Sequence, residues 1–176
     1  MKKIIFNIGL GLTICVLVWS TIHYYQKQKS ILEKDRELVL NHISVDYLDS
    51  AIFYIGKVLS TQNNQKDKLL NDLYEVKINI ENALSITTFH RSNHENSDGL
   101  DLYHLLEGYS IAIDKTIHTV QTDSLNNQDI KRLNIIKKDF TKMQQQLTEN
   151  VSKLTEEEFS DHIKDLKASL NFQEKL

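Results

Sequence analysis

The chain has 176 residues, with 24 acidic and 21 basic side chains for a formal net charge of -3, five glycines, one cysteine and no proline. That length holds one ordinary domain plus an anchor, and the charge leaves no concentrated basic face of the kind that binds nucleic acid. Without proline and with little glycine, nothing breaks long helices; aromatic residues are only 8% and scattered, which argues against a sandwich or barrel, so the composition predicts an all-α protein.

No charge interrupts residues 4–22, where Ile4, Ile5, Phe6, Ile8, Leu10, Leu12, Ile14, Val16, Leu17, Val18, Trp19 and Ile22 are large and apolar. About 20 such residues cross a hydrocarbon core of about 30 Å, so residues 1–25 are expected to form a transmembrane signal-anchor. Lys2 and Lys3 mark one edge, and Trp19, His23, Tyr24 and Tyr25 mark the other with rings suited to the headgroup region. A cleavable signal peptide competes with this reading, but its best cleavage site, Val18-Trp19-Ser20, places a bulky ring beside the cut. Thr13 and Ile14 before Cys15 do not make a lipoprotein signal. The basic start predicts an N-in, C-out orientation in the inner or plasma membrane, with the bundle outside the cytoplasm, although Lys27, Lys29, Lys34 and Arg36 pull the other way.

Cys15 also excludes an intrachain disulfide and any cysteine-based metal site, because it is the single thiol. Richness in Lys, Asn and Ile is the composition of an AT-rich bacterial genome.

After the anchor, residues 26–37 read as a charged helical stem continuous with the span. Residues 38–172 read as the bundle and 173–176 as a frayed tail. Ile31, Leu38, Val45, Ile52 and Leu59 recur every seven residues, with Leu48 and Ile55 between them, and Leu40, Ile43, Tyr47, Ala51, Tyr54 and Val58 widen that arc. An arc this broad predicts packing against several helices, with dimerisation through the heptad face as the alternative. A turn over 61–65 precedes a second helix carrying Leu69, Leu73, Val76, Ile80 and Ala83 and ending near Phe89 or His90. Residues 91–99 read as the longest loop. Leu102, Leu105, Leu106, Tyr109, Ile113, Ile117 and Val120 set a third helix, and Ile130, Leu133, Ile136, Phe140, Met143, Leu147 and Val151 a fourth. Thr155 with Glu158 forms a capping box, flanked by the hydrophobic staple Leu154 and Phe159, so a fifth, shorter helix starts there with Ile163, Leu166 and Leu170 on its face. The expected fold is an up-and-down antiparallel bundle of four helices plus a shorter fifth, behind a single N-terminal transmembrane helix.

Gly-rich phosphate loops and a nucleophile elbow are both absent, so kinase, P-loop and Rossmann readings fail and no cofactor is expected. Histidine is the one reactive type in excess, with seven in the chain. His90, His94, Asp98, Asp101 and His104 would meet if the second and third helices form a hairpin, and imidazole with carboxylate suits zinc or iron. Arg91 stands where a metalloprotease motif needs Glu, and no Glu-x-x-His occurs, so solvated loop residues are the simpler reading. Tyr47, Tyr54, Tyr74, Tyr103 and Tyr109 would line a ligand pocket or, more simply, the boundary of the core. Glu156, Glu157 and Glu158 suit the first turn of a helix better than a calcium site.

These features predict a non-enzymatic membrane protein whose bundle contacts a protein partner or another copy of itself, with the bilayer as its other partner through residues 4–22 and no role for nucleic acid. In general plan, the continuity of span and bundle resembles the extracytoplasmic four-helix domains of chemoreceptors and sensor kinases. The resemblance implies a ligand-sensing module; with no second span after Leu154 and no output domain, its signal would pass through a partner. A metal-binding protein using the His/Asp cluster is the third expectation.

Overall fold

A computed structural model of the chain describes the backbone of residues 2–61, 65–93, 98–147 and 149–172; the side chains of 2–12, 89–93, 98–101, 149 and 156 fall outside that description. The described chain is helical almost throughout and contains no strand. Its elements are α1 (Lys2–Asn41), a π-helical stretch (His42–Leu48), α2 (Asp49–Ser60), α3 (Lys66–Asn93), α4 (Asp98–Thr122), α5 (Asn127–Gln146), the single turn α6 (Glu149–Ser152) and α7 (Glu156–Ser169). The expected tail 173–176 and residues 62–64 of the first turn lie outside the described residues.

Two compact units divide the chain, Met1–Asp35 and Arg36–Leu176. In the first, Ile14, Val16, Leu17, Val18, Trp19, Ile22, Tyr24 and Tyr25 are all exposed. Lys29 and Glu33 form an ion pair one turn apart at 3.8 Å, a small helix-stabilising contact. Among the described residues no helix is long and apolar enough to cross a membrane. The expected span starts at Ile4, and its side chains as far as Leu12 are outside the description.

The second unit begins at Arg36, inside the stretch read from sequence as stem. Its first helical run, the end of α1 through α2, buries Arg36, Leu40, Ile43, Ser44, Leu48, Ala51, Ile55 and Val58. The heptad row expected on that face points elsewhere: Leu38 is 60% and Val45 61% exposed, Ile31 is exposed too, and Ile52 and Leu59 are only half-buried. The π-helical stretch is the physical reason. An α-helix turns about 100° per residue, whereas a π turn holds more residues, so the five-residue step from Ile43 to Leu48 returns to the same face. This shift in phase lines up Leu40 and Ile43 with Ala51, Ile55 and Val58 and leaves Leu38 and Val45 outside.

Polar pairs show how the helices run. Lys57 of α2 meets Asp72 of α3 at 2.9 Å, and Lys77 of α3 meets Asp114 of α4 at 2.6 Å while Tyr74 accepts from Gln121 at 2.8 Å. Numbers rise in α3 as they fall in α4, so these two neighbours are antiparallel. Gln144 of α5 donates to Asp49 of α2 at 3.2 Å, placing α5 against α2. The last helix, α7, packs on α4 and is bonded to α5, where Lys142 donates to the Ser169 carbonyl at 2.9 Å. The core is continuous through all of them, with Leu73, Val76, Leu106, Ile113, Leu133, Phe140, Met143 and Ile163 fully buried. Three buried hydroxyls are satisfied within their own helices: Ser44 donates to Leu40, Thr87 to Ala83 and Thr116 to Ala112, each to the carbonyl four residues back.

Helix ends follow local chemistry. At the end of α2, the hydroxyls of Ser60 and Thr61 both donate to the Lys57 carbonyl, and Thr61 takes an extended backbone. α5 opens on a capping box in which the Asn126 side chain accepts from the N–H groups of Gln128 and Asp129 while Asp129 accepts from the Asn126 N–H. Between α3 and α4 the expected loop over 91–99 is shortened, because α3 continues to Asn93 and α4 starts at Asp98. Neither Gly nor Pro stands in Arg91-Ser92-Asn93, so nothing there stops the helix.

The capping box expected at Thr155 is present: Thr155 N–H donates to Glu158 at 2.8 Å and Glu158 N–H to the Thr155 hydroxyl at 3.3 Å. Phe159 is buried and Leu154 packs half-buried against the core, as a staple requires. Thr155→Ala is expected to destabilise the bundle by about 1 kcal/mol, read as a lower urea midpoint; an unchanged midpoint would mean the box adds nothing.

Candidate functional site

Three polar nodes are built into the second unit. The most deeply buried is Asp139, which α5 presents between the core residues Ile136 and Phe140 with no exposed surface. It accepts the Tyr109 hydroxyl of α4 at 3.1 Å, the Phe172 N–H at 2.7 Å, and the Asn171 N–H and side-chain amide at 3.0 and 3.1 Å. Around it the Tyr109 ring stands edge-on to Phe140, with centroids 4.9 Å apart, and lies 5.0 Å from Phe172. A carboxylate with both oxygens engaged by four donors is a fixed acceptor that joins α4, α5 and the end of the chain after α7. Burial first, and the charge of Asp139 second, push the Tyr109 hydroxyl far above its ordinary 10.0.

The second node is Asp72, nearly buried beside Leu73, which pairs with Lys57. The Lys57 ammonium also lies 4.8 Å from the Tyr54 ring and 5.5 Å from Phe53. Its hydrogen bond to Asp72 holds it above its ordinary 10.5, against a smaller opposing effect of burial. The third node is Arg36, 4% exposed, whose Nη1 donates to the Leu154 carbonyl at 2.6 Å and whose guanidinium covers the Phe159 ring at 4.6 Å.

Both Tyr109 and Lys57 keep their protons to higher pH in the folded chain than in the unfolded one. Their stabilisation is complete below about pH 10 and is lost as pH rises through the raised folded values. The melting temperature is therefore expected to fall from pH 10 upward, and the tyrosinate absorbance of Tyr109 to appear only as helix content is lost. Ionisation of all seven tyrosines with the helical signal intact would contradict this.

Of the sequence-predicted metal candidates, only His104 has a described side chain. It is exposed and sits 3.3 Å from Glu107 on its own helix. The side chains of His90, His94, Asp98 and Asp101 lie outside the described residues. Among the described residues no three His, Cys, Asp or Glu side chains group to hold a metal ion. The five tyrosines do not share one environment: Tyr109 is in the core, Tyr74 is exposed against Gln121, and Tyr47, Tyr54 and Tyr103 are half-buried on their own helices. Glu157 and Glu158 are exposed in the first turn of α7, where the helix dipole favours acids.

Asp139, Asp72 and Arg36 do not stand out by motif. For Asp139 and Asp72 the signal in the sequence is a charge on an otherwise apolar stripe, most plainly Asp139 three residues after Ile136 and four before Met143, whereas Arg36 lies in the charged run Lys34-Asp35-Arg36-Glu37 and carries no such signal. Comparison with protein-family models, curated proteins and solved structures gives no match for this chain.

Proposed function

We propose that the chain is a single-pass membrane protein, anchored N-in and C-out by residues 4–22, whose helical bundle acts by binding a protein partner rather than by catalysis. The observation that carries the anchor is the exposure of residues 13–25. Val16, Leu17, Val18 and Trp19 leave a helix in four directions about 100° apart, and each is more than half exposed. A helix apolar on every side has no stable position in water and is suited to hydrocarbon. Ile4 to Leu12 extend the same uncharged run in sequence to the length a bilayer needs.

The second unit supports binding rather than chemistry. Among the described residues its buried charged groups, Arg36, Asp72, Asp129 and Asp139, are each engaged with protein donors, carbonyls or rings, and Lys57 and Tyr109, which bond to Asp72 and Asp139, are held in their protonated forms. Leu38, Val45 and Phe53 are large, apolar and exposed on the first helical run, a composition suited to a protein contact.

The test is in-cell crosslinking and affinity capture of the tagged full-length chain from membranes, with protease shaving of intact cells in parallel. A discrete crosslinked species and a C-terminus cut from outside are expected. Monomer alone under effective crosslinking would overturn the interaction reading, and a C-terminus untouched while external controls are cut would overturn the orientation.

A further inference from the structure

α7 differs from the other packed helices in how it is held. It has fourteen residues and one narrow apolar stripe, Phe159, Ile163, Leu166 and Leu170, while Asp161, Lys164, Asp165, Lys167 and Ala168 face outward. Polar side chains from two different helices grip its ends. At its start Arg36 of α1 holds the Leu154 carbonyl and covers Phe159. At its end Asp139 of α5 holds the N–H groups of Asn171 and Phe172, and Lys142 of α5 holds the Ser169 carbonyl. α2, α3, α4 and α5 are joined without it, through Lys57 and Asp72, Lys77 and Asp114, and Asp49 and Gln144.

We propose that α7 is a latch, which opens as one unit by releasing the Arg36 and Asp139 clamps while α2, α3, α4 and α5 stay folded. Segments with few apolar anchors and many outward-facing groups open below the free energy of global unfolding, and here the clamps sit at the two points from which such a segment would peel. Asp139 retains the Tyr109 hydroxyl when the clamp opens, so the bond between α4 and α5 survives. Opening withdraws Phe172 from the Tyr109 ring and uncovers the strip on which Ile163 and Leu166 had packed. The latch does not depend on the membrane reading, because every residue in it belongs to the second unit.

Amide hydrogen exchange on the purified full-length chain in detergent tests it, with Asp139→Asn and Arg36→Met as separate variants. In the unmodified chain, α7 amides should exchange at least tenfold faster than those in the centres of α3, α4 and α5. Each variant should speed α7 by a further tenfold or more, with α7 still exchanging at least tenfold faster than the centres of α3 and α4. Exchange of α7 at the rate of α3 to α5 in the unmodified chain would overturn the latch. Variants that leave the exchange of α7 unchanged would overturn it as well.

Discussion

Phe140→Ala is expected to lower the stability of the bundle by about 3 to 5 kcal/mol, the cost of deleting a large ring from a closed core. Phe140 has no exposed surface and stands edge-on to the equally buried Tyr109. The substitution therefore removes apolar burial and an aromatic pair at once. The neighbouring Tyr109→Phe keeps the ring and removes only the hydrogen bond to Asp139, which still accepts from Asn171 and Phe172. It should cost about 1 kcal/mol. Urea unfolding followed by helix content separates the two, and equal losses would mean that the hydrogen bond, not the packing, dominates at this point.

A second large effect is expected in the first unit. Ile14→Arg combined with Val16→Asp places two charges near the middle of residues 4–22, each costing about 2.5 to 3.5 kcal/mol at the centre of a spanning helix. The doubly substituted chain should leave the membrane fraction or fail to insert. Both side chains are exposed in the structure and their substitution disturbs no core residue, so the fold of the second unit should be unaffected. Fractionation identical to the unmodified chain would show that residues 4–22 do not hold the protein in a bilayer.

Where neighbouring residues act on one another within a few positions, the sequence predicts the structure well. Thr155 and Glu158 form their capping box from four consecutive residues, and the stripe Leu133, Ile136, Phe140 and Met143 needs only the period of a helix. The π-helical stretch was not legible, because His42-Ile43-Ser44-Val45-Asp46-Tyr47-Leu48 contains no breaker and its extra residue is absorbed only when the helix packs. That one change of phase moved Leu38 and Val45 from the expected seam to the surface. Asp139 was visible as a carboxylate on an apolar stripe, but the backbone donors that satisfy it come from Asn171 and Phe172, thirty-two and thirty-three residues further on. Arg36 is a longer case: its sequence neighbours read as a solvated stem, and the Leu154 carbonyl it holds is 118 residues away. Pairings of this range depend on the fold as a whole, and local pattern carries no trace of them.

Anchoring by residues 4–22 is the central claim, and alkaline carbonate extraction of membranes from cells making the full-length chain tests it most directly. A single apolar helix through the bilayer predicts that the chain stays with the membrane pellet and floats with lipid in a density gradient; release into the supernatant with peripheral proteins would contradict it.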